Sequence, residues 1–98
     1  MENKFIEHDN HNGLMLLKAA VMNSITECFK EKAVIHLDCI PINLIKRCLN
    51  ENNLEYKEYT ILDYHIIDVF LGQQKIINIS TDASEGTTII RNVQGVLV

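Results

Sequence analysis

From Leu14 to Lys32 the apolar positions recur with a helical period. At about 100° per residue, Leu14, Leu17, Val21, Met22, Ile25, Cys28 and Phe29 form one stripe, with Asn23, Glu27, Lys30 and Glu31 opposite. This predicts a first helix, with Asn12 as its N-cap and a mobile polar segment over residues 1–12 before it. Residues 33–40, AVIHLDCI, switch to a period of two, the mark of a strand, with Ile35, Leu37 and Cys39 on one face and His36 and Asp38 on the other. Pro41 suits the first turn of a second helix, because it lacks the amide hydrogen that would go unpaired there. Ile42, Ile45, Cys48 and Leu49 stripe that helix, and Asn50, Asn52 and Asn53 close it.

After Asn53 the pattern is strand upon strand. Residues 54–62 alternate loosely and 64–71 strongly; Gly72-Gln73-Gln74 reads as a hairpin turn, and 75–81 as the return strand. Residues 82–86 have turn chemistry, residues 87–93 form a further strand, and Gly95 precedes a last apolar scrap, Val96-Leu97-Val98. The order α-β-α followed by an antiparallel meander predicts an α+β fold. It is a two-layer sandwich, with two helices packed on one face of a sheet of four or five strands, and residues 13–98 form one domain.

Composition supports a folded domain: 47% of the 98 residues are hydrophobic and 22% charged, and isoleucine and valine favour sheet. The net charge of −4 is uneven, because residues 1–49 carry six basic and six acidic side chains, and residues 50–98 carry three and seven. A phosphate backbone would be repelled by that second half, so no nucleic-acid partner is expected. With no apolar stretch of bilayer length and no signal-peptide pattern, no membrane role is expected either. Cys28, Cys39 and Cys48 are odd in number and lack CxxC spacing, which points to a cytoplasmic setting.

Several groups have the makings of chemistry. The run CIPINLIKRCLNENNLEYKEYTI, about a quarter of the chain, resembles the active-site turn and first helix of glutaredoxins, which would make Cys39 a thiol nucleophile at a helix start. It departs from that family in having Ile42 where a second cysteine would stand, and in having a long helix before the cysteine-bearing strand. His36 and Asp38 share a strand face, and His65 on a neighbouring strand would add a third group for acid–base work or a small ligand. DVFLGQQK resembles the acid-then-lysine hairpin of restriction-type nucleases through Asp68 and Lys75, though Gln73 replaces the usual carboxylate. His8 and His11 lack a third and fourth ligand, and no metal or other cofactor is expected.

The segment LEYKEYTILDYH holds all three tyrosines among acidic residues. Tyrosine is enriched at binding hot spots, because it offers large, stiff, amphipathic area, and flanking acids steer a basic partner. The sequence therefore predicts a non-enzymatic protein-binding domain of inhibitor, immunity or adaptor type. Its partner would be another protein with a basic surface, met through Glu55, Tyr56, Glu58, Tyr59, Asp63 and Tyr64. Two other readings stand beside it: an enzyme centred on Cys39, His36, Asp38 and His65, and a self-assembling subunit that pairs through a sheet edge or Val96-Leu97-Val98.

Overall fold

The computed structural model describes residues 2–38, 40–82 and 84–94, with side chains from Gly13 onward. Cys39 and the Val96-Leu97-Val98 scrap therefore lie outside the described residues, as do the side chains of His8 and His11. Seven elements follow in the order α1 (Glu2–Glu31), β1 (Val34–Asp38), α2 (Ile42–Glu51), β2 (Glu55–Ile61), β3 (Tyr64–Leu71), β4 (Gln74–Asp82) and β5 (Thr87–Asn92). The fold is α+β, as expected. The five strands form one antiparallel sheet in the order β1-β5-β4-β3-β2, so the first strand crosses to pair with the last.

Helix α1 begins at Glu2 and not after Asn12, which lies inside it. Residues 2–12 contain neither glycine nor proline to stop a helix, and they carry no stripe that would announce one. The packed part of α1 comes later. Val21, Ile25 and Cys28 are buried at helical spacing, while Leu14, Met15 and Leu16 are exposed on the part before it. Asn92 ties the far end of α1 to β5, donating from Nδ2 to the carbonyls of Cys28 (3.2 Å) and Phe29 (3.1 Å), where a helix leaves its acceptors unpaired. Pro41 is the N-cap of α2, and its carbonyl accepts from the amides of Leu44 and Ile45. Asn53, at φ 57°, takes the left-handed position after the helix, and the Leu54 amide returns to the Leu49 carbonyl at 2.9 Å.

Alternation along the strands divides the sheet into two faces. One carries Ile35, Ile90, Ile79, Ile67, Ile77 and Val69, and it joins the buried stripes of both helices in a single core. The α2 side chains buried there are Leu44, Ile45, Cys48 and Leu49. Each such aliphatic contributes on the order of 1.5–3 kcal/mol when withdrawn from water. The core also holds one polar seam. Buried Thr88 accepts through Oγ1 from the Ile40 amide (3.0 Å) and lies 3.2 Å from the Thr81 hydroxyl, satisfying the backbone where β1 turns into α2. No described helix lies on the other sheet face.

Candidate functional site

The six candidate binding residues lie on the edge strand β2, in the turn after it and at the start of β3, but they do not share a face. Tyr56 and Glu58 are in register with the buried Val69 and Ile67, which places them on the helix side. Tyr56 packs against the core, and its hydroxyl accepts from Asn50 Nδ2 at 3.4 Å. Glu58 is held at 2.9 Å by Lys46 of α2 and also pairs with His65 Nε2. The Lys46 hydrogen bond, then that of His65, keeps the Glu58 carboxyl below its ordinary pKa, and Glu58 in turn raises that of Lys46. Both residues are committed to the fold of this chain.

Glu55 and Tyr59 project instead from the open face, in register with Phe70 and Ile66. Burial, then the nearby Asp68 carboxylate, raises the Tyr59 hydroxyl above its ordinary pKa. Asp63 and Tyr64 lie at the end of the hairpin, where a two-residue turn, Leu62-Asp63, joins the paired Ile61 and Tyr64. This tip is apolar: Leu62 is 88% exposed, Ile61 52%, Tyr64 43% and Tyr59 39%. Leu62 also has φ 54°, a left-handed conformation that side chains with a Cβ rarely adopt. Ile61 and Leu62 fall at the end of the loosely alternating run 54–62, which reads from sequence as strand and hides the turn. A two-residue loop without glycine or asparagine at its first position was the available signal.

Beneath the tip lies a shallow cleft of about 270 Å³, lined by Ile40, Pro41, Ile42, Thr60, Asp63, His65 and Thr81. A second, largely apolar cleft of about 320 Å³ opens at the other end of the sandwich, between Met22, Ile25 and Phe29 of α1 and Leu71 and Ile76 of the β3–β4 hairpin.

The proposed acid–base group does not assemble. His36 and Asp38 stand exposed on the open face of β1, whereas His65 is on the helix side of β3, with β5 and β4 between those strands. The described thiols, Cys28 and Cys48, are buried, and burial raises both above the ordinary thiol pKa. Cys28 Sγ donates to the Ala33 carbonyl at 2.9 Å. Asp68 and Lys75 do meet, at 3.3 Å across the β3–β4 hairpin, with Asn78 Nδ2 donating to Asp68 at 2.9 Å. Asp68 is thereby 4% exposed on the uncovered face, enclosed by its own partners. No group of three or more metal-ligating side chains occurs among the described residues. No described helix is long and apolar enough to cross a membrane.

The class these elements define is an α+β two-helix, five-stranded antiparallel domain. No protein-family model matches the chain, and comparison with curated proteins and with solved structures gives no significant match.

Proposed function

We propose that this chain is a small non-enzymatic protein-binding domain, of inhibitor, immunity or adaptor type, which presents the β2–β3 hairpin tip to another protein. The supporting observation is the display of Ile61, Leu62 and Tyr64 around a turn whose first residue holds a left-handed conformation. A leucine at such a position costs stability and gains nothing from burial, so its value lies in what it offers to a second surface. The partner carries an apolar pocket for Leu62 and Tyr64, with a basic rim facing Asp63. The cleft under the tip receives a partner side chain beside Ile42 and His65.

The test is capture of a partner by the immobilised chain, followed by affinity measurement with the purified partner. Leu62→Gly combined with Tyr64→Ala should weaken that affinity at least tenfold, and Asp63→Lys should slow association, with folding unchanged in each. Affinity left intact by all three changes would remove the tip from consideration. Tyr56 and Glu58 are poor choices for this test, because both stabilise the fold through α2.

A further inference from the structure

The uncovered sheet face has a pattern that the tip does not explain. Across its middle, one cross-strand row reads His36, Ile89, Ser80, Ile66 and Tyr59, with the two isoleucines half-buried. The row on the tip side runs from Asp38 through Thr87, Asp82 and Tyr64 to Ile61. On the opposite side, Val34 and Arg91 lead through Asn78 and Asp68 to Lys57. The face is therefore acidic at one end and basic at the other, with an apolar centre. Asp82 is occupied by the Ser84 amide and hydroxyl, and Asp68 by Lys75 and Asn78. Among the described residues, Asp38 and Arg91 have no ionic partner, and both are exposed.

We infer that this face is the interface of a homodimer, and that its partner is a second copy of the same chain. A two-fold axis lying in the interface across the strands, along the central row, sets the two sheets face to face. Each acidic end then lies over the other copy's basic end, so Asp38 meets the Val34–Arg91 pair twice. Ile89 and Ile66 meet their own counterparts on the axis, as an isologous contact requires.

The size is adequate. Strands about 4.8 Å apart, at about 3.3 Å per residue, give a five-stranded face of roughly 550 Å² before side-chain relief is added. Two copies then remove on the order of 1,200 Å² from water, at the lower limit for a specific interface. The product is a four-layer α/β/β/α assembly with sheets about 10 Å apart. The inference goes beyond the binding reading. The turn Leu62-Asp63 projects past the paired rows, so Leu62 and Asp63 stay exposed at opposite ends of the dimer, whereas Tyr64 and Ile61 lie at its margin.

Sedimentation of the full chain over a concentration series, at low and moderate salt, tests this. The expected species has twice the 11.2 kDa chain mass. Ile89→Lys should give a monomer that keeps its circular dichroism spectrum, with a melting temperature that no longer depends on protein concentration. Asp38→Arg and Arg91→Asp, both surface changes that leave the core untouched, should each weaken dimerisation at least tenfold, and the double variant should regain most of that loss. Leu62→Gly should leave the dimer intact, which separates this inference from the tip. A chain that stays monomeric throughout overturns it. So does a dimer indifferent to Ile89→Lys, which would be pairing through a strand edge, and so does a charge-swapped variant no better than either single change.

Discussion

Replacing Leu62 by glycine should make this protein more stable while making it a poorer binder. Leu62 is almost wholly exposed, so its side chain forgoes no burial when removed. What changes is the backbone. At φ 54° a residue with a Cβ is disfavoured by about 1–2 kcal/mol, a cost glycine does not carry. Glycine gives back roughly 0.5–1 kcal/mol through the greater freedom of the unfolded chain. The two ranges leave a net gain of about 0–1.5 kcal/mol, whose midpoint corresponds to a rise of about 3–6 °C in Tm for a domain of this size. Thermal unfolding followed by circular dichroism measures the shift, and capture of the partner is measured on the same preparations. A Tm that is unchanged or lowered would refute the reasoning, because it would mean that the leucine side chain is already supporting the fold. A raised Tm with undiminished capture would keep the strain argument and discard the binding role.

Two further outcomes follow from the core and from the α2–β2 contact. Thr88→Val conserves volume but orphans the buried Ile40 amide, so urea unfolding should show a loss of about 1–3 kcal/mol with an unchanged slope. Thr88→Ser, which keeps the hydroxyl, should lose only about 1 kcal/mol. The Glu58 carboxyl is held below its ordinary value of 4.5 by Lys46 and His65, so its folded pKa lies under its unfolded one. Its contribution is therefore complete above that ordinary value and disappears as pH falls through the depressed one. Glu58→Gln should flatten the acid limb of a stability–pH curve, and an unchanged limb would show that the contact contributes nothing in solution.

Much of the fold was legible because alternation and helical spacing report directly on burial. Val21, Ile25 and Cys28, like Ile45, Cys48 and Leu49, sit in the core that their stripes predict. The start of α1 was not legible, since residues 2–12 carry no apolar stripe to count. The tyrosine-rich segment was legible as strand but not as surface. Tyr56 and Tyr59 differ by an odd number of positions, so the pleat sends them to opposite sides, and only the position of α2 decides which side is covered. The same holds for His36 and His65, whose separation depends on β1 pairing with β5, a contact between residues more than fifty positions apart.

The sequence by itself determined the element types, the α+β class and most core positions, because these depend on neighbours a few residues away. Only the tertiary structure decided the strand order, the packing of Tyr56 and the tie of Glu58 to Lys46 of α2, the exposed apolar tip at Leu62, and the opposed charges of the open sheet face. Those features arise from side chains brought together across strands, and no local periodicity carries information about which strands will meet.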